Sequence, residues 1–220
     1  PKKPWNYSLF FNIQGLTNEY DASAFFLKDG KIDEVPCFKG YELLDFEHNL
    51  GQLEAAVTSG GLSTMPWTYE GKLKVLENKT LRYKGHWEWM KAYRQLGLFS
   101  EDEIIHNGQK IIPREFYHQL LEPQLDTKDF NDICVMRVVC RGIKDGENKI
   151  VTIDAVETYD DNSGLMAMEK WTGWHASIMM QHIMAEKINS GAYPIEKALS
   201  GEDFYHQAKK RNYNININIT

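Results

Sequence analysis

Residues 132–141 and 149–159 are the longest strand-like runs in the chain, and Lys144-Asp145-Gly146-Glu147 lies between them. An Asp-Gly pair between two extended runs favours a tight turn in which both central residues take positive φ, so the runs must pair antiparallel. In the first run, Ile133, Val135, Arg137 and Val139 fall on one face and Cys134, Met136, Val138 and Cys140 on the other. Only Arg137 interrupts the apolar pattern, which predicts that both faces are covered.

Around this hairpin the other signals are short. Residues 8–14 read as a strand closed by Gly15, and residues 22–28 and 31–35 flank Asp29-Gly30, a second hairpin signal. Residues 41–47 and 53–58 read as strands, and residues 72–76 and 79–83 as short extended pieces. A first helix is expected over 85–96, stopped by Gly97. A second opens at Pro113, presents Phe116, Leu120 and Leu121 on one face, and ends before Pro123. A third is expected over 173–189 and a fourth over 201–210, where Glu202-Asp203 suit a helix N-terminus. The expected fold is α+β, a mixed and largely antiparallel sheet with helices packed on one face. The tail, Asn214-Ile215-Asn216-Ile217-Asn218-Ile219-Thr220, alternates as a half-buried strand does and needs a partner strand, in this chain or in a missing segment.

The chain has 220 residues, 42% hydrophobic, enough for a real core, and is expected to form one domain over 1–220. Its net charge is −6 and its cations form no long run, which argues against nucleic acid or an anionic membrane as partner. No apolar stretch is long enough for a membrane span, and no signal peptide is visible. Cys37, Cys134 and Cys140 match no zinc spacing and no disulfide framework; they read as thiols in a reducing cytoplasm. No metal site is expected. His175 and His182, seven apart on the third helix, read as interface or partly buried histidines. The first residues, Pro1-Lys2-Lys3-Pro4, are read as a cut inside a longer protein.

The sequence holds no dinucleotide fingerprint, no phosphate-binding loop and no nucleophile elbow. Two segments carry the site expectation. In Thr58-Ser59-Gly60-Gly61-Leu62-Ser63-Thr64-Met65-Pro66 the paired glycines let backbone approach a ligand, and the hydroxyls add donors and acceptors. Lys79-Thr80-Leu81-Arg82-Tyr83-Lys84-Gly85-His86 ends at a helix start, where Arg82 could clamp a carboxylate through two hydrogen bonds. On residues alone, the first also fits a solvated loop and the second a set of surface cations.

Together the two segments resemble the "SGGxSTLPxT…YKTLRYPGH" stretch of bacterial saccharopine dehydrogenase and lysine 6-dehydrogenase homologues, with Lys84 in place of the usual proline. Lys3-Pro4-Trp5-Asn6-Tyr7 through Gly15-Leu16-Thr17-Asn18-Glu19-Tyr20 resembles "PxPLNYxxxWSxxGLxxEY", and Leu96-Gly97-Leu98-Phe99 the family's "LGLF". Trp171-Thr172-Gly173, taken as opening the third helix, is similar to "TGxPAAI", with Trp174-His175 a departure.

The resemblance implies the C-terminal substrate-binding and dimerisation domain of a dehydrogenase whose N-terminal Rossmann domain holds NAD or NADP. This chain alone would then bind no cofactor and be inactive. It implies hydride transfer between the nicotinamide and a nitrogen-bearing carbon of lysine, saccharopine or a related amino acid. It places Thr80, Leu81 and Arg82 at the substrate carboxylate, with Ser59, Gly60, Gly61, Ser63, Thr64 and His86 as further substrate-binding candidates. Fungal saccharopine-forming relatives carry an arginine in the region of Ser59–Ser63; none occurs here, which turns the expectation toward lysine or another diamino acid. A homodimer in the cytoplasm is expected. The alternatives are a carboxynorspermidine dehydrogenase-like reductase and a non-catalytic binding or scaffold module that kept the fold. A glycine-rich strand–turn–helix before Pro1 would favour the enzyme.

Overall fold

A computed structural model describes residues 5–47, 50–126 and 131–220. The Pro1-Lys2-Lys3-Pro4 start lies outside them. The chain divides into two compact units, Pro1–Asp129 and Phe130–Thr220.

In the first unit the strand expected over residues 8–14 does not form, and its last two residues open a short helix, α1 (Ile13–Asn18). The Asn12 side chain accepts from the Gln14 N–H at 2.7 Å, which caps the helix. Ile13, Leu16 and Thr17 then turn into the core with Tyr20 just beyond. β1 (Ser23–Lys28) and β2 (Lys31–Pro36) form the expected hairpin. At its turn Asp29 and Gly30 have φ of 52° and 80°, as a tight two-residue turn requires. β3 (Glu42–Phe46), β4 (Gly51–Ala56) and β5 (Thr80–Tyr83) make an antiparallel sheet in that order. Between β4 and β5 lies a five-residue helix, α2 (Met65–Tyr69). Residues 72–76 do not form a strand; they run beside the first hairpin, touching it by an isolated bridge from Leu76 to Leu27.

α3 (His86–Leu96) starts and stops where expected, with Gly97 at φ 88°. A hairpin of β6 (Ile104–His106) and β7 (Gln109–Ile111) follows, unforeseen in the sequence, and then α4 (Pro113–Leu125). α4 differs from expectation twice. It buries Tyr117, His118, Leu121 and Leu125, while Phe116 and Leu120 face outward, and it continues through Pro123. Leu125 is fully buried and its carbonyl accepts from the Leu9 N–H at 3.1 Å, so tertiary packing outweighs the bond that Pro123 cannot donate. α1, α3 and α4 enclose a core of Leu16, Tyr20, Trp87, Met90, Tyr117 and Leu125, among others.

The second unit is built on a three-stranded antiparallel sheet in the order β10 (Ile215–Ile219), β9 (Glu147–Thr158), β8 (Ile133–Lys144). The alternating tail thus finds its partner within the chain. The register aligns Met136 with Ala155 and Ile215, Val138 with Ile153 and Ile217, and Cys140 with Val151 and Ile219. Every member of these rows is apolar, and partners across a ladder share a face. The reverse face carries Arg137 paired with Asp154, together with Thr152, Asn216 and Asn218. The expectation that both faces are covered is not met within this chain, since Met136, Val138 and Val139 are all exposed.

α5 (Ala167–Met184) begins earlier than expected, so Thr172-Gly173 lies inside it rather than at its start. The cause is Asp132, whose carboxylate oxygens accept from the Ala167 and Met168 N–H groups at 2.7 and 2.8 Å. A buried pair, Lys170 Nζ to Glu157 Oε1 at 2.6 Å, joins the helix to β9. His182 is buried and His175 half-buried on this helix. A short α6 (Ile195–Ala198) and the expected α7 (Gly201–Lys210), capped by Ser200, complete the unit.

The architecture is α+β, with four small antiparallel sheets in place of one large one. The three cysteines are free thiols. Among the described residues, no helix is long and apolar enough to cross a membrane, and no group of three His, Cys, Asp or Glu could hold a metal ion.

Candidate functional site

Pairing of β4 with β5 brings the two candidate segments together in the first unit. The register sets Glu54 opposite Arg82 and Ala56 opposite Thr80. Just beyond β4, the hydroxyls of Thr58 and Thr80 meet at 2.6 Å. The chain then turns through Ser59-Gly60-Gly61 to α2. Gly60 adopts φ 81°, and a Cβ on Gly61 would lie 2.8 Å from Asn78 Oδ1, so both glycines are dictated locally.

Ser59 is already engaged. Its hydroxyl donates to the Asn18 carbonyl at 2.7 Å and its N–H to the Glu19 carbonyl at 2.8 Å, which fixes the turn to the end of α1. Gly60, Gly61, Ser63 and Thr64 are exposed on the turn, while Thr80 and Leu81 are half-buried beside Arg82.

Arg82 is the centre of the cluster. Its Nε donates to Tyr20 Oη at 3.0 Å, its Nη1 to its neighbour's carbonyl, that of Leu81, at 3.0 Å, and its Nη2 to Glu19 Oε2 at 2.7 Å. The Tyr7 ring lies 5.4 Å from the guanidinium carbon. Among the described residues, these three bonds leave two of the guanidinium's five N–H donors uncommitted. The Arg82 and Glu19 side chains are 16% and 32% exposed, so solvent reaches the pair.

Behind Arg82 lies a relay. His86 is wholly buried and both its ring nitrogens are engaged, Nε2 with Tyr20 Oη at 2.8 Å and Nδ1 with the Trp5 carbonyl at 3.2 Å. A carbonyl only accepts, so Nδ1 carries the proton, Nε2 accepts from the Tyr20 hydroxyl, and the Tyr20 oxygen accepts from Arg82. Burial, reinforced by the Arg82 charge, lowers the His86 pKa from 6.5 to about 3 and keeps the ring neutral. Burial pushes the Glu19 carboxyl above its ordinary value, and Arg82 works against that shift. His86 therefore lies wholly buried behind Arg82, where its bond orients the Tyr20 hydroxyl.

Glu19, Tyr20 and Tyr7 are the participants that residue-by-residue reading did not assign, although all three fall in the two N-terminal stretches that carried the resemblance. Arg114 on α4 was also missed. It donates to the Asn18 side chain at 2.9 Å and pairs with Asp21, bracketing Glu19 and Tyr20 from both sides. A separate cleft of about 270 Å³ opens beside the first hairpin, lined by Phe26, Leu27, Val35, Val57 and Val75 with Lys79 at its wall. Lys28, Asp33 and Glu77 also line it, and none of the residues around Arg82 borders it.

The described residues contain no parallel strand–turn–helix–strand unit. Every strand pairing among them is antiparallel, whereas a dinucleotide cradle is built on a parallel strand–turn–helix–strand unit.

A fold of this kind, with a charged cluster on a small antiparallel sheet, has counterparts of known family. The family model described as saccharopine dehydrogenase C-terminal domain matches residues 1–211, and the chain belongs to that family. Apo histidine-tagged saccharopine dehydrogenase (L-Glu forming) from Saccharomyces cerevisiae has a similar fold, with a TM-score of 0.74 at 16% sequence identity. The match covers 99% of this chain and 63% of that chain.

Proposed function

We propose that this chain is the substrate-binding part of an NAD- or NADP-dependent oxidoreductase acting on the CH–NH group of lysine, saccharopine or a related amino acid. On this reading the nucleotide is bound by a domain outside the chain, and the protein works as a cytoplasmic homodimer, a compartment in keeping with three free thiols. The observation that carries the reading is the meeting of the Ser59–Thr64 turn with Thr80-Leu81-Arg82, where Arg82 is oriented from behind and keeps two donors for a ligand. A guanidinium so held is suited to a carboxylate. Thr80 and Leu81 shape the strand that presents it, and the exposed Gly60, Gly61, Ser63 and Thr64 border the approach.

Steady-state assay of the full-length protein with L-lysine, L-saccharopine and carboxynorspermidine, each with NAD⁺ and NADP⁺, tests the reading. Turnover of lysine or saccharopine is expected. Turnover of carboxynorspermidine alone would move the chain to polyamine chemistry, and none with any substrate would make it a binding or scaffold module. Arg82→Lys keeps the charge and loses the planar fork. A charged hydrogen bond contributes about 1.5–3 kcal/mol, so kcat/KM should fall about 10–100-fold, mainly through KM, with a native circular dichroism spectrum and a lowered Tm, since the guanidinium also bonds Tyr20 and Glu19. Equal kinetics would remove Arg82 from the site.

A further inference from the structure

We infer that Glu19 is the second half of the recognition site, the acceptor for a substrate ammonium group, so that the Glu19–Arg82 pair selects the zwitterionic head of an α-amino acid over a bare carboxylate. This rests on the proposed role of Arg82 as carboxylate anchor and adds a partner for it.

The argument begins with charge. Arg82 is already matched by a carboxylate in contact, Glu19 Oε2 at 2.7 Å from Nη2. A second carboxylate, Glu54, stands opposite Arg82 in the strand register, its oxygens engaged by the Tyr41 hydroxyl and the Gly85 N–H. The other ionisable groups around Arg82 add no positive charge, and Arg114 nearby is matched by Asp21 and Glu101. His86 is neutral, and Tyr7 and Tyr20 are held in their neutral forms by burial. A ligand bringing only a carboxylate would meet a cation whose charge is already compensated, beside an anion it must approach. A zwitterion brings an ammonium for that anion along with its carboxylate.

The geometry agrees. Arg82 keeps two uncommitted N–H donors, and Glu19 uses only Oε2 for Arg82, leaving Oε1 without a hydrogen bond among the described residues. The Glu19 side chain is the more exposed of the two. Its backbone is fixed, because its carbonyl accepts from the Ser59 N–H and Arg114 anchors Asn18 and Asp21 on either side. A donor set and an acceptor thus lie side by side, as the carboxylate and ammonium of an α-amino acid do.

Calorimetric titration of the full-length protein with two matched pairs tests this: L-lysine against 6-aminohexanoate, and L-glutamate against glutarate. Each pair differs only by the α-ammonium. The wild type should bind the amino acid of at least one pair about tenfold or more tightly than its deamino counterpart, the worth of one charged hydrogen bond. Glu19→Gln keeps an acceptor for Arg82 and removes the charge. It should weaken the amino acid by about tenfold and leave the deamino acid unchanged or tighter, since Arg82 is then uncompensated. Glu19→Asp, which keeps the charge, should preserve the order of preference and serves if Glu19→Gln does not fold. A wild type without preference within the pairs, or a Glu19→Gln protein that loses both members equally or neither, overturns the inference. Arg82→Lys separates this from failure of the underlying reading. If it weakens every ligand while Glu19→Gln changes no preference, Arg82 stands and Glu19 falls. If it weakens none, or no amino acid binds, the carboxylate site itself falls.

Discussion

His86 is a titratable group with no exposure to solvent, held between the Trp5 carbonyl and the Tyr20 hydroxyl. In the unfolded chain its ring takes a proton below about 6.5, while in the folded protein it stays neutral down to about 3. Between those values the unfolded state binds the extra proton, so folding stability is full above 6.5 and falls as pH falls through the window. One such group contributes a slope of about 1.4 kcal/mol per pH unit. Gln can accept from Tyr20 and donate to Trp5 without titrating. Urea unfolding of the wild type and His86→Gln between pH 4 and 7 should therefore show the variant losing about one proton's worth of pH dependence; parallel curves would place the buried charge penalty elsewhere. The relay also marks what residues alone could and could not reveal. Thr80-Leu81-Arg82 and the Ser59–Thr64 turn were legible because each is a contiguous motif. Glu19 and Tyr20 reach Arg82 across more than sixty residues of sequence, so no local window exhibits the contact.

Elements were legible where one local rule decided them. Asp29-Gly30 and Asp145-Gly146 both adopt the paired positive φ that their sequence foretells, and both hairpins form. Asn107-Gly108 obeys the same rule, with φ of 49° and 78°, yet its strands have only three residues each, too few for an alternation to register. α4 escaped for the opposite reason: the local rule at Pro123 is real, and long-range burial of Leu125 overrides it. α3 depends on local chemistry at its end. Gly97 sits at φ 88° with its N–H bonded to the Arg94 carbonyl, and that of Leu98 reaches Tyr93. A Cβ there meets no atom within 4 Å, so the cost of substitution is backbone strain alone. Gly97→Ala should lower stability by about 1–2 kcal/mol, read by denaturant unfolding at constant m-value. No loss would mean that the α3 terminus relaxes to a different cap.

For the whole molecule, the three rows of apolar residues on the second unit's sheet pose the largest unanswered demand. Met136, Val138, Ile217 and Ile219 are 41%, 39%, 41% and 64% exposed on one face. Ala155 in the first row is buried, but soluble proteins seldom leave such a group of large apolar side chains open to water. The sequence made the apolar character of β8 plain, but what covers it depends on partners that one chain's pattern cannot specify. We propose that a second copy covers this face, since a two-fold axis through an apolar sheet face makes the patch its own complement and closed dimers are the commonest assembly. The reverse face also exposes Val139, Ile143 and Ile150, but its Arg137–Asp154 pair and the asparagines of β10 break up the apolar surface there. Light scattering of the full-length protein at micromolar concentration should return twice the mass of one chain. Val138→Lys together with Ile217→Lys puts two cations in one row of the apolar face, on the strands either side of β9, and, across a two-fold axis, confronts them with their copies. The double variant should be monomeric with an unchanged circular dichroism spectrum, because both side chains already reach solvent within one chain. A monomeric wild type would leave another part of the same protein to cover this face, and a double variant that stays dimeric would move the dimer contact off this sheet.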